Sequence, residues 1–283
     1  MTYWLKYVSD KRMVFMKAFK YLLLCFLFIS SAPRAEITSI EAFINASSNQ
    51  TRLTQEMLKN YILIGMSVRG RKAEQDLKAA IAEYEAAEKE ILNFANAHSQ
   101  VQTLSYAKTD TVRETFKKAA AHWVQVKPLY EQTPAPENVE EVRAQTELLL
   151  SEWRTVTQEI VANTESKYGS LISTAGFVRM LSQRVNSYYA LRAWGFDDRY
   201  SEPFMMSLTL FEENRNTLES SPLNNEKIKN ELSKIQKDFK RFKDLSDTHV
   251  NKALLPLITR SAGKITDSMD KVTALYMYQG LQF

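Results

Sequence analysis

The sequence predicts an all-α fold, and three observations favour it. The 283 residues include only seven glycines and seven prolines, too few for the many tight turns of a β-sandwich or barrel. Strong helix formers such as Ala, Leu, Glu, Lys and Gln are plentiful. Apolar residues also recur at the three- and four-residue spacing of amphipathic helices over most of the chain. With 45% apolar and 25% charged residues, the composition is that of a globular protein.

Residues 1–35 have the order of segments that is typical of a secretory signal peptide. A basic stretch at 16–20 precedes an apolar run at 21–29, and small residues suited to a peptidase follow. Because this run is far shorter than the roughly 20 residues needed to span a bilayer, we expect cleavage and export to the periplasm. An uncleaved signal that anchors the protein to the inner membrane is the alternative. Met16 alone begins a well-proportioned signal, so it is a candidate for the true start.

This segment also carries the positive charge of the chain. The formal net charge is +4, but residues 1–35 contain six bases and one acid, so the net charge of the remainder is about −1. A nearly neutral protein has no basic surface of the kind that displaces counterions from nucleic acid, so we exclude nucleic acid as a partner. Cys25, the only cysteine, lies in the apolar run, and the mature protein would contain no disulfide.

Turn and capping residues along the remaining chain predict where each helix begins and ends. A first helix over 37–68 ends near Gly70, a second covers 72–97, and a third begins at an N-capping Thr109. The proline-containing stretch 133–137 is the clearest break. A long helix is then expected over 139–194, followed by helices over 203–218, 226–245 and 254–278.

An internal repeat organises this helical pattern. Residues 44–61 align with residues 172–189 at an offset of 128, with the same Ile, Leu, Gln and closing Tyr in both segments. We call these segments box 1 and box 2. A similar series of helices follows each box. The sequence therefore predicts two tandem up-down four-helix bundles, over 36–165 and 166–283, that share the long connecting helix.

Box 2 resembles a known family signature. Its residues 175–184 read Ala-Gly-Phe-Val-Arg-Met-Leu-Ser-Gln-Arg. This is similar to the A-G-x-x-R-M-L-S-Q-R signature of the type IV pili methyl-accepting chemotaxis transducer N-terminal domain. That domain belongs with the NarX-like sensor domains of nitrate- and nitrite-responsive histidine kinases. Box 1 departs from the pattern, because Ser48, Thr51 and Glu56 stand at the positions of Gly176, Arg179 and Arg184.

The resemblance implies a non-catalytic, periplasmic sensor or ligand-binding protein. In the nitrate sensors the arginine that matches Arg179 contacts the anion across a dimer interface. A small oxyanion such as nitrate or nitrite and a homodimer are therefore the expected partners. Since no transducer module follows the second repeat, a membrane-bound signalling partner is also expected. The alternative is a helical structural or interaction module of a periplasmic complex that binds no small molecule.

Helical geometry indicates what the box 2 residues could do. Arg179, Gln183, Ser182 and Gly176 fall on an arc of small and polar residues, opposite an apolar core arc. Another helix could approach this arc closely. We expect these four residues to bind an anion, with the Arg179 guanidinium as a bidentate donor. Arg184 lies within the apolar arc, where we expect a structural ion pair with Glu56; a snorkelling arginine is the alternative.

The sequence contains no constellation that indicates catalysis. His98, His122 and His249 lack the Glu-x-x-His spacing of di-iron bundles, so no metal site is expected. The chain also lacks a G-x-S-x-G nucleophile elbow and a glycine-rich phosphate loop. We therefore expect neither an enzyme nor a cofactor.

Overall fold

The computed structural model describes residues 37–98, 109–246 and 249–282. Within these ranges the chain is helical and contains no β-strand, which confirms the all-α prediction. The helices are α1 (Ile40–Gly65), α2 (Gly70–His98), α3 (Thr109–Glu131), α4 (Val139–Ala162), α5 (Gly169–Leu191), α6 (Asp197–Glu219), α7 (Glu226–Ser246) and α8 (Leu255–Gly280). The predicted signal peptide, with its candidate start at Met16, lies outside the described residues. None of the helices inside them combines the length and apolar character needed to cross a membrane.

The two ends of α1 explain why the first two helices are separate. At its start Ser39 is the N-cap, and the Ser39 Oγ accepts a hydrogen bond of 3.1 Å from the Ala42 backbone N–H. Beyond its end, Ser67 and Arg69 adopt positive φ angles of 54° and 55°, a left-handed conformation that reverses the chain. Because this turn is short and α1 packs on α2, the two helices run antiparallel.

The structure corrects the prediction of one long connecting helix over 139–194. Two helices, α4 and α5, take its place, and residues 163–168 between them are not helical. The Asn163 side chain donates a 2.6 Å hydrogen bond to the carbonyl four residues earlier, and the Thr164 Oγ1 accepts one of 3.2 Å from the Ser166 N–H. Such local bonds satisfy backbone groups without a continued helix. The two repeats therefore share no helix, and the boundary predicted at 165 falls in this break.

A π-helical turn joins α5 to α6. It covers Arg192–Phe196, and Gly195 has a φ of 111°, a conformation that L side chains rarely adopt. The next helix begins at Asp197, earlier than the predicted start at 203. Asp197 and Asp198 lie in its first turn, where their negative charge stabilises the positive end of the helix dipole.

The helices pack as two groups that meet along α1 and α5. In the first repeat α1 packs on α2 and α4, and α3 packs on α4; in the second, α5 packs on α6 and α8, and α7 packs on α8. The contact between α1 and α5 is the most extensive of the helix pairs in the described ranges. Ile37–Phe283 forms one compact unit. Both boxes therefore lie at the centre, each in contact with the other and with its own repeat.

Each repeat contributes its own aromatic core. In the first, Tyr84 lies against Trp123 with 4.4 Å between ring centroids, and its hydroxyl accepts a 2.6 Å hydrogen bond from the Trp153 Nε1. In the second, the rings of Phe211 and Phe239 stack at 4.1 Å. All five side chains are buried, so these contacts stabilise each group through both apolar area and ring geometry.

Candidate functional site

Box 1 and box 2 meet at equivalent positions in the centre of the α1–α5 contact. Ser48 and Gly176 are related by the repeat offset, and a Cβ atom on Gly176 would lie only 2.2 Å from the Ser48 Oγ. A side chain larger than hydrogen would therefore collide with α1. Further along both helices, the Ser187 Oγ donates a 3.2 Å hydrogen bond to the Gln55 carbonyl, so the boxes run parallel. The helix that approaches the small-residue arc of box 2 is thus box 1 of the same chain.

The closing tyrosines of the two boxes make matching contacts. The Tyr61 hydroxyl donates a 3.0 Å hydrogen bond to the Asn138 Oδ1, just before α4. The Tyr189 hydroxyl accepts one of 3.2 Å from the Asn251 N–H, just before the last helix of its own repeat. Together with the parallel boxes, these paired contacts indicate an approximate twofold axis between Ser48 and Gly176. The aligned segments of the sequence thus make comparable contacts in the structure.

Arg179 is buried at this centre and is already bound. Only 3% of the residue is exposed. Its guanidinium donates 2.7 Å and 3.0 Å hydrogen bonds to the Oδ1 atoms of Asp270 and Asn45, and its Nη2 lies 3.4 Å from the Ser48 Oγ. Burial lowers the pKa of Arg179, and the Asp270 carboxylate opposes that shift. The guanidinium expected to bind an external oxyanion is therefore paired with a carboxylate of its own chain.

The other predicted ligand residues of box 2 are also satisfied internally. The Gln183 Oε1 accepts a 3.0 Å hydrogen bond from the Lys59 Nζ, and its Nε2 donates one of 2.8 Å to the Thr266 Oγ1. The Ser182 Oγ lies 2.7 Å from the same threonine oxygen. Burial lowers the pKa of Lys59, and the nearby Glu56 carboxylate opposes this shift. Gly176, Arg179, Ser182 and Gln183 thus share one face, but that face is a closed contact with α1 and α8.

The predicted ion pair between Arg184 and Glu56 is not formed. Arg184 pairs instead with Glu147 of α4. Glu56 pairs with Arg52 on its own helix and lies 3.7 Å from the Lys59 Nζ. Equivalent positions on two parallel helices related by a twofold axis point away from the axis in opposite directions, so these two side chains leave the contact on different sides. Arg184 is neither paired as expected nor a snorkelling surface residue.

A polar cavity of about 190 Å³ lies beside box 1, between α1, α4, α5 and α6. Five hydroxyl-bearing side chains line it: Ser48, Thr51, Thr157, Ser173 and Thr174. Thr51 is the box 1 residue at the position that Arg179 occupies in box 2. Because threonine is much smaller than arginine, its presence there leaves room for this cavity.

Arg154 of α4 supplies the positive charge of the cavity, which we call the Arg154 pocket. Its guanidinium carbon lies 3.9 Å from the centroid of the Phe177 ring, a stacked cation–π contact. Among the described residues Arg154 makes no ion pair or hydrogen bond, and burial alone lowers its pKa. The amides of Gln158 and Asn214 complete the lining, which contains no Asp or Glu. The pocket therefore presents one unneutralised guanidinium among neutral polar groups.

Sequence reasoning missed the Arg154 pocket. Its lining combines α1 with α4, α5 and α6, which come much later in the chain, and Arg154 lies in a segment that was expected to be a connecting helix. One signal was visible. The replacement of the signature arginine by Thr51 removes a large side chain from one of two equivalent positions, which predicts a gap on the box 1 side.

The chain was compared with protein-family models, with curated proteins and with solved structures. None of the three comparisons found a match. The resemblance of box 2 to the sensor-domain signature therefore stays a prediction from ten residues. In the described part of the chain, no cluster of three or more His, Cys, Asp or Glu side chains could hold a metal ion.

Proposed function

We propose that this protein is a non-catalytic sensor or binding protein that takes up a small anion in the Arg154 pocket. The observation that carries the proposal is the Arg154 guanidinium, which lies in a polar cavity with no acid in its lining. A partly buried charge without a counter-ion is costly, and a bound anion would offset that cost. The guanidinium also offers parallel N–H donors that match an oxyanion or a carboxylate.

The arrangement of the boxes supports the sensor part of the proposal. In the family that box 2 resembles, the anion lies across a dimer interface; here two boxes of one chain face each other, so a homodimer is not required. Both helices line the pocket, with Thr51 from α1 and Ser173 from α5. A bound anion would contact both helices and favour one α1–α5 packing over another. We propose that the exported protein passes this change to a membrane-bound partner in the periplasm.

The pocket is a better candidate for the anion than the Arg179 site. Arg179 already bonds to Asp270 and Asn45, and an incoming nitrate or nitrite would have to displace a carboxylate that is tethered to the chain. A tethered group competes at a high effective concentration. Arg154 has no such competitor among the described residues.

Thermal unfolding with and without small anions tests this function. We expect nitrate, nitrite, formate or acetate to raise the unfolding temperature beyond the effect of equal ionic strength from chloride. An anion at one hundred times its dissociation constant adds about 2.7 kcal/mol to the stability of the native state. The Arg154→Gln variant should lose this shift. Arg241→Gln, which removes an exposed arginine from α7, should keep it. An unchanged shift in Arg154→Gln, or no shift with any anion, would overturn the proposal.

The second candidate is a helical interaction module that binds no small molecule. The internal hydrogen bonds of Arg179, Gln183 and Ser182 favour it, because the signature residues then only hold α1, α5 and α8 together. In that case no anion changes the stability, and Arg154→Gln behaves like the Arg241→Gln control.

A further inference from the structure

We infer that the ligand of the Arg154 pocket is a small hydroxy-carboxylate, an acid of three or four carbons with a neutral hydroxyl group. This inference rests on the proposed function and names the ligand class of the same site. It follows from three features: the equivalent site in the second repeat, the hydrogen-bonding state of the pocket side chains, and the size of the cavity.

The twofold relation of the repeats identifies which residues correspond around the two boxes. The equivalent glutamines each bind the last helix of their own repeat: Gln55 donates to Glu147 of α4 at 3.0 Å, and Gln183 donates to Thr266 of α8 at 2.8 Å. The register of these two helices follows from their bounds and buried faces: α4 begins at Val139 and α8 at Leu255, and the buried residues of α4 all coincide with buried residues of α8 at an offset of 116. At this offset Arg154 of α4 stands at the position of Asp270 of α8.

This correspondence shows what the first repeat lacks. In the second repeat the Arg179 guanidinium binds the Asp270 carboxylate. In the first, Thr51 replaces the arginine and Arg154 replaces the aspartate. The first repeat therefore keeps one positive charge, on α4 instead of on the box helix, and no side chain of the pocket lining supplies a carboxylate. A carboxylate ligand would complete the pair that the other repeat makes within the chain.

Three groups in the pocket are free to donate hydrogen bonds to that carboxylate. They are the Arg154 guanidinium, the Gln158 amide and the Ser173 hydroxyl, none of which has a hydrogen-bond partner in the part of the chain that the structure describes. A carboxylate has two oxygens with about four lone-pair sites, so it can accept from all three.

Three threonines offer acceptors instead. The Oγ1 atoms of Thr51, Thr157 and Thr174 donate to backbone carbonyls at 2.6, 2.9 and 2.8 Å. A hydroxyl that has given its only proton can still accept a hydrogen bond. Nitrate, nitrite and acetate carry no proton to give at neutral pH, whereas a ligand hydroxyl does. An ammonium group could also donate, but it would lie near Arg154 with no acid to neutralise it.

The size of the cavity agrees with such a ligand. At about 190 Å³, the cavity has room for several waters or for a small organic acid. Nitrate or formate would fill only a part of this space. A three-carbon hydroxy acid such as lactate would fill more of it.

Calorimetric titration of the purified protein with matched acids tests the inference. The series is lactate, propionate, which lacks the hydroxyl, alanine, which carries ammonium in its place, and nitrate. We expect lactate to bind about tenfold more tightly than propionate, since one net hydrogen bond is worth roughly that much, and alanine and nitrate to bind more weakly still. Equal affinity for lactate and propionate, or tighter binding of alanine or nitrate, would overturn the hydroxy-acid assignment while the anion function stands. No binding of any acid, with no thermal shift, would overturn both.

A Thr51→Val variant separates the hydroxyl contact from a general effect on folding. Valine has nearly the shape of threonine but no acceptor, so lactate affinity should fall towards that of propionate while propionate affinity stays the same. Thr273→Val is the matched control, because Thr273 is equally buried and donates to the carbonyl of Met269 but lies outside the pocket. A Thr51→Val variant that loses both acids equally, or a control that loses lactate, would contradict the assignment.

Discussion

At the scale of single residues, Arg179 is the side chain whose role changes most between sequence and structure. A lone arginine among small residues suggests an open anion site, yet the guanidinium is buried and neutralised by Asp270, which is itself half exposed. Charged hydrogen bonds from buried donors stabilise the native state more than surface ion pairs do. Arg179 thus holds the last helix, α8, against the two boxes.

We therefore expect Asp270→Asn to destabilise the protein. The substitution keeps the shape but leaves the buried guanidinium without its counter-ion, which should lower the free energy of unfolding by about 1–3 kcal/mol. Asp267→Asn, one turn earlier on α8 and exposed without an ion pair among the described residues, should change it by less than about 0.5 kcal/mol. Urea unfolding followed by circular dichroism measures both. Equal effects of the two substitutions would show that the pair contributes nothing.

The sequence could not predict the hydrogen-bond and ion-pair partners of the box 2 side chains. The repeat and the helical arcs correctly placed Gly176, Arg179, Ser182 and Gln183 on one face. Their partners could not be predicted, because Asp270 and Thr266 come from a helix more than 80 positions away and their register depends on packing. The Arg184 prediction failed for the same reason: its partner was decided by which helix lies on the outer side of box 2.

At the scale of helices, the close approach of α1 and α5 depends on one glycine. Gly176→Ala would place a Cβ atom 2.2 Å from the Ser48 Oγ and 2.7 Å from its Cβ, so the helices must move apart. We expect a loss of about 1–3 kcal/mol in the free energy of unfolding, typical of overpacking. Gly263→Ala on α8 meets nothing within 4 Å and should instead stabilise the protein by about 0.5–1 kcal/mol.

A second substitution, at Ser48, tests whether the loss of stability in Gly176→Ala comes from this contact. Adding Ser48→Gly to Gly176→Ala removes the side chain with which the new Cβ atom collides. The double variant should therefore regain most of the lost stability, as measured by the midpoints of urea unfolding. Contacting residues couple in this way, whereas distant ones add independently. A double variant that is as unstable as the sum of its parts would contradict the close contact.

Helix positions were predicted better than helix continuity. Most helices begin and end within a few residues of the predicted bounds, because caps and turn residues act locally. The single long helix failed at Asn163 and Thr164, whose side chains bond to nearby backbone groups and end α4. Such polar residues are tolerated in helices elsewhere, so their effect at this place is decided by the packing of the helices around them.

At the scale of the whole molecule, the extensive α1–α5 contact makes each repeat depend on the other. Most of box 1 is buried between its own repeat and box 2, so separating the repeats would expose a face that includes the buried groups of Lys59, Arg179 and Gln183. Unpaired polar groups of this kind add to the cost of opening the interface. The repeats should therefore unfold together, although each has its own aromatic core.

Variants in the second repeat test this coupling through tryptophan fluorescence. In the described ranges the tryptophans lie in the first repeat or against it, at Trp123, Trp153 and Trp194, whose ring packs near Gly65. Phe242 is completely buried in α7, and Phe242→Ala should cost about 3–5 kcal/mol. If the molecule unfolds as one unit, this distant substitution lowers the urea midpoint seen by fluorescence as much as the midpoint seen by circular dichroism. Two separate transitions, with the fluorescence midpoint unmoved, would mean that the repeats are independent bundles and that a ligand between the boxes could not be sensed by both.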